Sequence, residues 1–192
     1  MTIRMIAAAT AAAAAIGASG AAHADVYMKV SSTPGDARTA GFEQQIVLTG
    51  ASLNISSYMD YGFDGQSEPV RAIQATPIYL NKAPDRSSPK LMVAAIKGGD
   101  IGTIEITFTS PNRAGAQVVE SRWILEGAQI RSFNLFPGAD GVSPASETFE
   151  LAYKTMRYQY FTTDAKGVRT GAMEEVTWDS PEGQTFAPEG CG

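Results

Sequence analysis

Apolar and polar residues alternate with a period of two over much of this chain, and clusters of Gly, Pro, Asn and Asp interrupt the alternation. That pattern predicts a mainly β protein built from short, half-buried strands. From Asp25 to Ser31, Val26, Met28 and Val30 share one face and leave Tyr27, Lys29 and Ser31 on the other. Thr33 to Gly41 reads as a polar loop around Pro34-Gly35, and Tyr58 to Pro69 as a second loop with Gly62 and Gly65. Phe42 to Ser56 carries Ile46, Val47, Leu48, Leu53 and Ile55, with Gly50 marking a bend or bulge. Val70 to Leu80 predicts a further strand, which Pro77 places at an edge or a bulge.

In the second half, Thr103 to Thr109 predicts Ile104, Ile106 and Phe108 inward, with Thr103, Glu105, Thr107 and Thr109 outward. The turn Pro111 to Gly115 makes a hairpin with Gln117 to Leu125, where Val119, Trp123 and Leu125 share a face. Gly127 shifts the phase and Ile130 continues the pattern, before a Gly/Pro loop over Leu135 to Ala145. In Glu147 to Phe161, Phe149, Leu151 and Tyr153 have one parity, whereas Met156, Tyr158 and Tyr160 have the other. A period of two changes parity only through an extra residue, so a bulge is predicted near Lys154-Thr155. A long strand bent in this way belongs to a barrel or a sandwich. A last strand spans Ala172 to Trp178, and residues 181–192 form a Pro/Gly-rich tail.

One segment breaks the strand pattern. Ser87 to Gly99 predicts a helix at about residues 89–97: Ser88 as N-cap, Pro89 in the first turn, and Gly98-Gly99 as the stop. Leu91, Met92, Ala95 and Ile96 form its apolar face, and so short a helix needs that face docked on a sheet.

Residues 1–24 read as a secretory signal peptide. Arg4 gives a positive start, Met5 to Ile16 is apolar but for Thr10, and Ala22-His23-Ala24 is an A-x-A site. Cleavage between Ala24 and Asp25 sends the mature domain, residues 25–180 and the tail, to the periplasm or the exterior. His23 is the only histidine, so the mature chain has none and lacks Ser-His-Asp and Cys-His machinery. Loss of Arg4 takes the net charge from −5 to −6, which disfavours a nucleic-acid partner. Cys191 is the only cysteine; it forms an intermolecular disulfide or is an idle thiol.

The remaining candidates have bland readings. Asp60, Asp64 and Glu68 miss the spacing of a calcium loop. Glu174 and Glu175 are adjacent in a strand and face opposite ways. Lys82, Arg86, Lys90 and Lys97, mixed with Asp85 and Asp100, read as a solvated surface. Tyr153, Tyr158, Tyr160 and Phe161 read as core and interface aromatics rather than a base-stacking platform, and Trp123 and Trp178 as packing or seam residues. No catalytic, cofactor-binding or metal-ligating residue is expected.

From Glu147 to Tyr160 the chain resembles the haemolysin-coregulated protein (Hcp) family, the tube subunits of type VI secretion, in the parity change and the spaced aromatics. Tyr79-Leu80-Asn81-Lys82-Ala83-Pro84, followed by Ser88-Pro89-Lys90-Leu91-Met92, is similar to that family's strand, turn and short helix. The resemblance implies a compact two-sheet β-barrel with one helix, and a structural, non-enzymatic role. It also implies homo-hexameric rings that stack into a tube, hold effectors and meet a spike protein, with no membrane in the mature form. The loops Thr33 to Gly41 and Tyr58 to Glu68 become stacking contacts by analogy. The export signal, the Tyr61 to Gln66 loop and the C-terminal tail lie outside the family pattern. An exported binding module that no longer builds a tube is the second reading.

Overall fold

Alternation is realised as antiparallel ladders in a computed structural model, which describes residues 24–60, 70–112, 115–138, 144–164 and 168–179. Residues 1–23 of the signal segment, residues 61–69, the tail and Cys191 lie outside the described residues. The strands, in chain order, are β1 (Val26–Val30), β2 (Ile46–Leu48), β3 (Gly50–Ser52), β4 (Ile55–Asp60), β5 (Val70–Ala75) and β6 (Ile78–Lys82). Helix α1 (Ser88–Lys97) follows, then β7 (Ile104–Pro111), β8 (Gln117–Glu126), β9 (Gln129–Phe136), β10 (Ser146–Ala152), β11 (Thr155–Thr163) and β12 (Arg169–Asp179). One sheet has the order β12-β11-β8-β7-β1-β2 and a second has β3-β6-β10-β9, with β4 and β5 as a separate hairpin.

The two sheets are joined where strands turn a corner. β11 pairs with β8 and β10 pairs with β9, so two long strands run side by side and bend together from one sheet into the other. The bend falls at Gly127-Ala128 on one strand and Tyr153-Lys154 on the other, where the Lys154 N–H donates to the Glu126 carbonyl at 2.9 Å. Gly127 has φ +62°, and a Cβ there would lie 2.7 Å from the Lys154 side chain, so this corner requires glycine. The expected parity change therefore sits where Glu147 to Phe161 predicts it, but its cause is a change of sheet rather than a bulge within one ladder. Pro77 acts similarly: Val70 to Leu80 is two strands, β5 and β6, belonging to different sheets. Strand also replaces predicted loop at Tyr58 to Asp60 and Leu135-Phe136, and β12 begins before Ala172, at Arg169.

Between the sheets lies the core: Met28, Ile46, Ile78, Leu80, Ile104, Ile106, Leu125, Phe149, Leu151 and Met156 are all fully buried. A second cluster corrects the predicted outward face of β1. Tyr27 is buried because the chain after β1 folds back over it, stacking Phe42 on its ring at 4.3 Å. Burial pushes the Tyr27 hydroxyl pKa up, against the opposing hydrogen bond with Thr39. The same cover buries Thr107, and Thr109 is buried with its hydroxyl on the Asp25 carbonyl, so neither is outward. Val119 faces this second cluster and not Trp123's side, because the β7–β8 register slips between Phe108 and Thr109.

The largest departure from the sequence reading is Lys82. Ile78, Leu80 and Lys82 alternate inward on β6, and Glu147, Phe149 and Leu151 do so on the neighbouring β10. Lys82 and Glu147 are cross-strand partners, both buried, with Nζ 2.5 Å from Oε2. The ammonium also donates to Ser88 Oγ at 2.8 Å and lies 2.9 Å from Asp85 Oδ1, so its three donors meet three acceptors. Ser88 in turn donates to Glu147 at 2.8 Å and accepts the Asp85 N–H at 3.0 Å. Ser88 is thus a connector between helix and sheet. Ser87 occupies the N-cap position, without a side-chain capping bond, and its hydroxyl donates to Asp85. Burial raises the Asp85 pKa, but the Ser87 hydroxyl and the Lys82 ammonium outweigh it and hold the carboxyl below its ordinary value.

Helix α1 is stopped by Gly98, whose φ of +63° is open to glycine at no steric cost and whose N–H donates to the Ala94 carbonyl. Its docked face is Leu91, Ala94 and Ala95. Met92 and Ile96, predicted on that face, are exposed, as is Val93.

Removing one member of a buried ion pair leaves the other charge uncompensated, so Lys82→Met lowers unfolding free energy by about 3–5 kcal/mol. The double variant Lys82→Met/Glu147→Leu recovers part of that loss; urea unfolding measures both. Because the folded pKa of Asp85 lies below its unfolded value, its contribution is present above pH 3.8 and disappears as pH falls through the folded pKa. The stability difference between the native chain and Asp85→Asn is therefore full at pH 5 and shrinks steadily below pH 3.8.

Candidate functional site

A sheet that ends in an uncovered strand presents unpaired backbone groups, and such an edge is the part of a β protein most able to join another chain. Among the described residues, two of the four edges of the two larger sheets are blunt. β2 and β3 have three residues each. The others are long: β12 has 11 residues and β9 has 8. Among the described residues β12 pairs only with β11, and on it Met173 and Val176 are exposed at 46% and 52%. Beyond the core, β11 adds exposed Tyr160, and the end of β9 exposes Leu135 and Phe136. Phe161 and Met173 are opposite one another, as are Tyr158 and Val176, so both faces of the β11–β12 pair carry apolar groups. Glu174 and Glu175 are exposed and fall on opposite faces, and Glu175 accepts from Gln159 at 2.7 Å. Charges at these positions guard the edge against indiscriminate pairing.

The four aromatics do not converge. Tyr153 is buried in the core, Tyr158 and Tyr160 share one face of β11, and Phe161 lies on the other, with the Arg122 guanidinium 5.8 Å from its ring centre. Trp123 packs against Phe108 with ring centres 4.7 Å apart, and Trp178 is half-buried against the main core. Trp178 Nε1 is buried without a hydrogen-bond partner among the described residues.

Thr33 to Gly41, assigned to stacking by analogy, is not a projecting loop. Gly35 N–H donates to the Gln44 carbonyl at 2.7 Å and Ala37 N–H to the Gln45 carbonyl at 3.0 Å, which ties the segment down. Arg86 and Lys90 clamp it from the helix side, donating to the carbonyls of Gly35 and Ser32 at 2.7 and 2.9 Å. Of the second loop, Tyr58 to Asp60 belong to β4, and the rest, with Asp64 and Glu68, lies outside the described residues. Among the described residues, no group of three His, Cys, Asp or Glu side chains is placed to hold a metal ion. Within the same residues, no helix is long and apolar enough to cross a membrane. Sequence reasoning passed over the exposed apolar positions of β12 and α1, because edge strands and helix faces are read as amphipathic whether or not anything covers them.

A family model described as type VI secretion system effector, Hcp, matches residues 27–160. No curated protein sequence gives a significant match. Among solved structures, one described as a type six secretion system protein superposes with a TM-score of 0.71 at 19% identity, covering 81% of this chain and 94% of that one. A crystal structure of Hcp1 from Salmonella typhimurium gives 0.64 at 16% identity, with coverage of 81% and 94%. A type VI secretion system effector from Yersinia pestis gives 0.62 at 11% identity, with coverage of 81% and 99%. At such identities these structures establish a shared fold: two antiparallel sheets and a short helix. The family model spans most of the chain, including the bent ribbon and the Lys82–Glu147 network, and on that match the chain belongs to the Hcp family of type VI secretion proteins.

Proposed function

We propose that this chain is an Hcp-type structural protein, without enzymatic activity, whose copies join edge to edge into six-membered rings. The observation that carries the reading is β12, a long strand paired on one side among the described residues and carrying apolar residues on both faces. Joining β12 of one copy to a different edge of the next is a head-to-tail contact, and such contacts close into rings when the rotation permits. Stacked rings make a tube whose bore holds effector proteins and whose end meets a spike protein; membership of the family is what supports these finer steps. The A-x-A site supports export, with removal of residues 1–24 and a mature protein in the periplasm or outside the cell.

Light scattering combined with electron microscopy of purified protein tests assembly. Ring-sized particles of about six chains are expected, and Met173→Asp/Val176→Asp shifts them to single chains while leaving the circular dichroism unchanged. A strictly monomeric native protein at high concentration removes the reading in favour of an exported binding module. N-terminal sequencing of exported material is expected to start at Asp25; a start at Met1 contradicts processing.

A further inference from the structure

Helix α1 and the connection that follows it line an open groove of about 600 Å3. Leu91, Val93, Ala94 and Ile101 make its surface mostly apolar, and Lys90 and Lys97 add two ammonium groups. Neither lysine pairs with a carboxylate among the described residues. Asp100, the one acid in the lining, instead accepts the Gly102 N–H at 2.7 Å. Next to the groove Ile96 is 78% exposed, a costly position for an isoleucine that none of the described residues covers.

We propose that the groove is occupied by the same chain's segment beyond β12, Ser180 to Gly192, with Phe186 on the apolar surface and Glu182 and Glu189 facing the two lysines. The segment's chemistry complements the groove: two acids, no basic residue and one large apolar side chain. Pro181 and Pro188 restrict the backbone around it, which lowers the entropy lost on docking.

Chain path and reach agree. β12 ends at Asp179, opposite Thr155, which is itself opposite Glu126. Two residues past Glu126, the Ala128 carbonyl accepts the N–H of Ile101, a groove residue, at 2.8 Å. At about 4.8 Å per strand spacing, the end of β12 lies roughly 15 Å from Ile101. The stretch from Ser180 to Phe186 extends to roughly 23 Å at about 3.3 Å per residue, enough to set the ring in the groove. The proposal does not depend on ring assembly.

Cys191, the only cysteine, offers a direct probe in the full chain. A short maleimide–succinimide cross-linker attached there, followed by mass spectrometry, reads which lysines the segment meets. Cross-links to Lys90 and Lys97 are expected, with Lys29 and Lys154 spared; Phe186→Ala abolishes the preference, and Glu182→Gln/Glu189→Gln weakens it most at low salt. Mixing isotopically light and heavy protein identifies the donor, and same-label pairs are expected. Cross-links found only between differently labelled chains overturn the proposal in favour of a second copy's segment. Equal labelling of all four lysines, or a pattern unchanged in Phe186→Ala, overturns docking altogether.

Discussion

The arrangement depends on one buried contact, Lys82 with Glu147, at the end of an otherwise apolar face. Two charges withdrawn from water repay their desolvation only if every donor and acceptor is met, and here Asp85 and Ser88 complete the set. The contact is demanding in register. It requires β6 and β10 to pair so that Lys82 stands opposite Glu147, and it requires the first turn of α1 to present Ser88 to both. A one-residue slip would put one charge on the wrong face, so the pair selects against misaligned sheets as well as stabilising the correct one. From that fixed start the rest of α1 follows: Leu91 goes into the core, while Arg86 and Lys90 clamp the segment that covers Tyr27.

The second constraint is the shared bend at Gly127-Ala128 and Tyr153-Lys154. It gives a small chain two sheets closed over one core without a long connection, and among the described residues it leaves β12 paired on one side. Covering elements are spent elsewhere: α1 on the core and the 33–45 segment on β1 and β7. Among the described residues β12 therefore keeps one row of backbone groups without a paired strand, flanked by apolar side chains. An edge left open in this way is what the proposed edge-to-edge joining would use.

Much of the fold was legible. Alternation found nearly every strand, Pro89 and Gly98 bracketed the helix, and the parity change in Glu147 to Tyr160 located the corner. What escaped was whatever depended on a distant partner. Thr107 read as solvent-facing because the segment over it is remote in sequence, and Tyr27 because the fold-back of the loop after β1 leaves no trace in the alternation. Lys82 read as a surface charge because composition says that lysines are; its parity with Ile78 and Leu80, matched by Glu147 with Phe149 and Leu151, was the signal that it points inward. The corner at Tyr153-Lys154 and a bulge leave the same trace in a pattern of period two, and only the pairing of both neighbouring strands separates them. The family was legible from the order of these features; the open edge was not, since exposure is a property of what fails to cover a strand.

The most direct test of the central claim, that β12 is the joining edge, is hydrogen–deuterium exchange followed as protein concentration is raised. The β12 amides are expected to become protected as larger particles form, while those of β6 and β10, already paired on both sides, stay constant. Particles that grow with β12 exchanging as fast as in the single chain would contradict that claim.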